Sequence, residues 1–219
     1  MQEAALVFMA VVYTLRVRWL LLFKAGRERQ AATGSPSTTR TKGIIYSWAN
    51  IAMPWSMEST RTKAFLYLQF VLFHLGVAVA ILLSFLIPYA PEALKSNAVL
   101  GSLRFLIGAA FIVSLIRLSR RISQKNMRAI SSPDDYFSLV MLAVWLFFAL
   151  MSVPNQPEQG EGVYLTYFFM TAFFLIYVPF SKISHYLYYP FTRYYFGKTM
   201  GHRGVYPIKS GPAAELIKR

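Results

Sequence analysis

The run from Ala64 to Leu86 contains no Asp, Glu, Lys or Arg. At the helical rise of about 1.5 Å per residue it is long enough to cross the roughly 30 Å hydrocarbon core of a bilayer. Three further runs meet or approach that length. Val99–Ile116 is apolar except for Arg104, and Tyr136–Val153 and Val163–Ser181 carry no charge. A shorter run, Ala4–Tyr13, extends to Phe23 if Arg16 and Arg18 snorkel to a headgroup layer. The sequence therefore predicts an all-α membrane protein with five transmembrane helices. Composition agrees: 56% of the 219 residues are hydrophobic and 15% charged. Soluble domains average about 45–50% and about 25%. Met1–Phe23 has no basic stretch ahead of its apolar run, which argues against a secretory signal.

The net charge is +14, from 23 Lys and Arg against 9 Asp and Glu. Such an excess suits nucleic acid in a soluble chain, but the apolar runs are too long for a soluble fold. Basic residues cluster in alternate connections: Arg16 to Lys63, Arg117 to Arg128, and the stretch after Lys182. The connections Pro88–Asn97 and Pro154–Gly162 are short and poor in Lys and Arg. The positive-inside rule then places the N-terminus outside and the C-terminus inside. One integral membrane domain is expected over 1–219, with a cytoplasmic loop at about 25–61 and a cytoplasmic basic tail at about 188–219. Within the loop, Gln30–Lys42 reads as flexible. Gly43–Met57, with Trp48 and Trp55, reads as an interfacial helix. Ser132-Pro133-Asp134-Asp135 reads as a helix start, and Pro190 as a helix interruption.

The chain has no cysteine, so any redox centre must use other ligands. No hydrolytic constellation, carboxylate cluster or phosphate-binding loop is visible. Three histidines remain. His74 lies well inside the second span, His185 at the inner end of the last, and His202 in the polar tail. An intramembrane histidine is either a hydrogen-bonded packing residue or a functional one. His74 and His185 fall at compatible depth on antiparallel helices. Such a pair suits bis-histidine ligation of a b-type haem. It is too small a donor set for zinc. Gly76 would either let a flat ring approach the backbone or allow close helix packing.

Phe73-His74-Leu75-Gly76 together with Phe180-Ser181-Lys182-x-x-His185 resembles the respiratory nitrate reductase gamma-subunit family of cytochromes b. Ser132-Pro133-Asp134-Asp135-Tyr136-Phe137 and the run His185 to Phe196 are similar to one branch of it. That branch is the membrane cytochrome of sulfite-reduction-associated and heterodisulfide-reductase-like complexes. The resemblance covers all five spans. It implies a haem-binding bundle in the cell inner (cytoplasmic) membrane. It also implies exchange of electrons between quinone, menaquinone by family analogy, and a cytoplasmic iron–sulfur or catalytic subunit. His74 and His185 stand at the ligand positions of the cytoplasm-proximal haem. The second haem of the family needs histidines where Ser84 and Tyr167 stand here, so one haem b is expected. The chain holds no complete active site of its own.

Arg104, Lys182 and Arg193 are candidate contacts for haem propionates or quinone, although all three also suit membrane-interface positions. The aromatic stretch Tyr186–Phe196 suits either an interfacial belt or a docking surface. Two other readings stay open: a haem-free anchor or quinone-binding subunit, and a small transporter. The spans offer few polar residues to line a conduction path.

Overall fold

The computed structural model describes residues 1–24, 26, 29–32, 37–53, 61–155 and 161–208. All regular structure among them is helical. The helices are α1 (Gln2–Leu22), α2 (Arg40–Ala49), α3 (Ala64–Tyr89), α4 (Asn97–Ser123), α5 (Lys125–Ala129), α6 (Pro133–Ser152), α7 (Glu161–Tyr177) and α8 (His185–His202). Helices α1, α3, α4, α6 and the stretch Glu161–Phe180 are long and apolar enough to cross a membrane. All five expected spans are therefore present, and the chain has the character of a multi-pass membrane protein. The chain groups into two compact units: Met1–Leu21 with Leu68–Ser184, and Leu22–Tyr67 with His185–Arg219.

The first unit is built around a narrow apolar core. Ala80, Leu83, Ile107, Ala110, Leu146, Ala149, Val153 and Tyr167 are fully buried in it. Phe111 meets Phe147 across α4 and α6, with ring centroids 5.8 Å apart. Trp145 stacks on Tyr167 across α6 and α7 at 6.2 Å. Gly76 sets the approach of α3 to α4: a Cβ there would run into Leu106 O and the Ala110 Cβ. Helix packing in membranes favours small residues at such points because lipid is as apolar as leucine. Many large apolar side chains face outward, among them Leu75, Ile81, Leu82 and Phe85 on α3, as a lipid-facing surface requires.

The ends of the spans agree with an up-and-down path. Gln2 Nε2 donates to Ser84 Oγ (3.0 Å) and Tyr89 Oη to Glu3 Oε1 (2.6 Å). The start of α1 thus lies beside the end of α3. At the opposite end, the start of α6 meets the end of α7 and the last turn of α4. There Asp135 accepts from the Ser132 N–H (2.8 Å) and Lys182 Nζ (2.9 Å). Arg121 Nη1 lies 4.0 Å from the same carboxylate. The predicted helix start is present here: Ser132 caps α6 in a capping box with Asp135, and Pro133 takes the first position.

In the second unit the helix expected from Gly43 begins three residues earlier: residues 40–49 form α2, capped by Thr39, whose hydroxyl accepts from Lys42 N. Residues 33–36 of the expected flexible stretch, and 54–57 of the expected interfacial helix with Trp55, lie outside the described residues. The segment read as tail is helical as far as His202, and α8 runs straight through Pro190. Proline there is the sixth helical residue, so it deprives a single carbonyl, that of Tyr186, of its intrahelical donor. The Pro190 carbonyl itself accepts from Trp48 Nε1 at 2.9 Å.

Glycines lock α2 to α8. A Cβ on Gly197 would lie 2.6 Å from Gly43 O, 2.7 Å from Ile44 Cα and 2.8 Å from Ser47 Cβ. A Cβ on Gly201 would lie 3.0 Å from Gly43 Cα and also collide with Thr39 O. Gly197-x-x-x-Gly201 thus meets Gly43-x-x-x-Ser47 at backbone contact, the small-residue spacing of tight helix pairs. Helix α8 ends at His202, and Arg203 and Gly204 form the turn that follows. Gly204 takes φ 75°, and Val205 N donates back to Met200 O at 2.9 Å, the left-handed cap that glycine favours.

Candidate functional site

His74 lies in the N-terminal half of α3, on its exposed face, with Leu75 beside it. Its ring Nδ1 is 2.7 Å from Phe70 O, one turn back. A carbonyl can only accept, so Nδ1 carries the proton and Nε2 the lone pair. This is the tautomer in which histidine ligates a metal through Nε2 with its other nitrogen held by a backbone oxygen. Phe70 and Phe73 flank the ring, with centroids 4.2 and 5.8 Å away. The donor chemistry therefore fits an axial haem ligand. Gly76 does not form a cradle for a ring, because Leu106 and Ala110 of α4 already fill the place of its missing side chain. Its role here is helix packing.

The cations sort by depth. Arg117 places its guanidinium carbon 4.9 Å over the Phe73 ring, next to His74 in the chain. Arg104 is exposed on α4, on the turn before the Leu106 contact with Gly76 and towards the opposite end of the unit. Lys182 donates to Ser132 Oγ (2.7 Å) and to Asp135 Oδ2 (2.9 Å), so it belongs to the cap that fixes the start of α6. In the sequence Arg117 opens the basic cluster Arg117–Arg128, which reads first as a topology signal and second as an interaction face. Its position inside the helix, ahead of the Arg120–Arg121 pair, was the available clue.

The two outer positions are packed. Tyr167 and Ser84 are fully buried. Tyr167 Oη donates to Ala80 O, and Ser84 Oγ donates to Ile81 O (2.7 Å) while accepting from Gln2. Polar atoms that would be costly in an apolar core are thereby satisfied. Trp145 Nε1 continues the pattern by donating to Thr171 Oγ1 at 2.9 Å.

His185 and Arg193 belong to the second unit. The α-helix α7 stops at Tyr177, ahead of Pro179; the apolar span closes with the 3-10 turn Val178–Phe180, one residue short of the expected Ser181, and a second turn, Lys182–Ser184, follows. His185 is accordingly the first, exposed residue of α8 and not the inner end of the span helix. Arg193 lies with its guanidinium 5.3 Å over the Tyr189 ring. His202 has both ring nitrogens engaged, Nε2 with Gln30 O (3.0 Å) and Nδ1 with Arg40 Nη2 (3.5 Å). Tyr206 packs on Tyr46 at 4.9 Å and Phe196 at 5.6 Å. That burial pushes its phenol above the ordinary tyrosine value, against the pull of the Arg193 charge.

No group of three or more His, Cys, Asp or Glu able to hold a metal ion occurs among the described residues. No protein-family model, curated protein or solved structure matches this chain.

Proposed function

We propose that this chain is the membrane cytochrome b subunit of a respiratory oxidoreductase complex, with His74 and His185 as axial ligands of a single haem b. The observation that carries this reading is His74. An ionisable side chain within a span normally faces protein or a polar cavity. Here an imidazole stands on the exposed face of α3, its Nδ1 held 2.7 Å from Phe70 O, the arrangement in which Nε2 is the ligating atom. When bound, haem supplies a one-electron carrier between the quinone pool, menaquinone by family analogy, and a cytoplasmic iron–sulfur subunit.

The chain's own residues position and tune. The Phe70 carbonyl orients His74 and raises its basicity as a ligand. Arg117, held on Phe73, would supply positive charge for a propionate near that turn, and Arg104, Lys182 and Arg193 stay candidates for propionate or quinone contacts. Ser84 and Tyr167, buried and hydrogen-bonded, support one haem in place of two. The basic connections support an N-outside, C-inside orientation in the inner membrane.

The test is the reduced-minus-oxidised absorbance spectrum of purified protein, with haem counted per chain. About one haem b, lost in His74→Ala and in His185→Ala, is expected. No haem in a folded preparation would replace this reading with that of a haem-free anchor or quinone-binding subunit.

A further inference from the structure

The second unit has a charge pattern unlike the rest of the chain. Its described residues include Lys24, Arg29, Arg40, Lys42, Arg61, Lys63, Arg193, Lys198 and Arg203, and no Asp or Glu. Aromatic side chains are interleaved with these cations. Helix α8 alone carries Tyr186, Tyr188, Tyr189, Phe191, Tyr194, Tyr195 and Phe196. One column of contacts is continuous. The Trp48 ring of α2 lies 6.5 Å from that of Tyr194 on α8, and Lys198 Nζ lies 5.9 Å over Tyr194. Trp48 is 47% exposed and Tyr194 37%. The Trp48 indole is pinned through its N–H to Pro190 O, and Lys42 projects from the exposed start of α2, its Nζ 3.0 Å from Ser37 O.

We propose that this helix pair binds the headgroups of anionic phospholipids, with Trp48 and Tyr194 seated at the headgroup level and Lys42 and Lys198 taking lipid phosphates. Three observations favour a lipid over a protein partner. The chain enters and leaves this unit at span ends, near Leu22, Ala64 and Phe180, which an alternating path puts on one side of the bilayer. Exposed Trp and Tyr edged by Lys and Arg are the side chains that partition to that layer. The excess of Lys and Arg among its described residues matches an anionic leaflet, where each Lys or Arg near the surface strengthens binding about fivefold. The glycine contacts between α2 and α8 hold the column rigid, so little order is lost on binding. This inference needs only the membrane character of the chain and stands whether or not haem is bound.

The full chain is reconstituted into vesicles of phosphatidylglycerol and phosphatidylcholine. Relative association is read from spin-labelled forms of each lipid. Preference for phosphatidylglycerol by several-fold is expected, falling up to about fivefold with each of Lys42→Gln and Lys198→Gln. It should also fall at high salt in the unaltered protein, a control that needs no substitution. No preference, or a preference untouched by the double variant, overturns the proposal. The second result would assign lipid selectivity to the Arg117–Arg128 cluster and leave the α2–α8 face to a soluble protein.

Discussion

Trp145 brings a polar atom into the apolar core of the first unit and satisfies it there. Its indole N–H reaches Thr171 Oγ1, whose own hydroxyl donates back to Tyr167 O at 2.8 Å. Trp145→Phe removes the donor together with part of the ring and should lower stability by about 1–3 kcal/mol; Trp145→Ala should lower it by roughly 3–5 kcal/mol because it leaves a larger void. Reversible unfolding in a bilayer-like medium measures both, and equal losses in the two variants would show that the hydrogen bond dominates. His74 differs in kind. Its Nδ1 is satisfied locally by its own helix, so His74→Ala should cost little stability while abolishing haem binding. The two effects separate a ligand from a packing residue.

At the scale of elements, α8 depends on its partner. Its proline and run of bulky aromatics make a poor isolated helix, and docking on α2 through Gly43, Gly197 and Gly201 compensates. Gly197→Leu should therefore separate the pair. The chain has no cysteine, so a short bis-maleimide can report on the pairing through Arg40→Cys with His202→Cys, residues whose side chains meet at 3.5 Å. Cross-linking is expected in the otherwise natural chain and should vanish when Gly197→Leu is added. Persistence would mean that the aromatic contacts alone suffice. The Gly197-x-x-x-Gly201 spacing was legible in the sequence, but glycine in a segment read as a tail has no partner until α2 is placed beside it.

Across the whole molecule, the first unit has two chemically different ends. Glu3, Glu92, Lys95 and Glu161 lie towards one, with Lys95 and Glu92 paired at 2.7 Å on the exposed surface. Arg117, Arg121 and Lys182 lie towards the other, where Asp135 is partly neutralised by its cap and by Lys182. The asymmetry supports the orientation read from the basic connections. Intact cells expressing Lys95→Cys should react with a membrane-impermeant maleimide, and those expressing Lys125→Cys should react only after permeabilisation. The reverse pattern would invert the topology and move the proposed iron–sulfur partner to the other face.

The spans were readable from the sequence because a bilayer imposes a length and an apolarity that each helix must meet by itself. For the same reason the start of α6 was readable: Ser132, Pro133 and Asp135 act within a few residues of one another. The tertiary structure decided what depends on neighbours distant in sequence. Gly76 serves the α3–α4 contact because Ala110 comes to meet it, Arg117 lies over Phe73 beside the His74 turn, and Lys182 is held by Asp135. Helix α8 runs on through Pro190, where the local rule predicts a break. Packing against α2 supplies stabilisation that residues 185–202 cannot supply alone, and no pattern confined to those residues could have announced it.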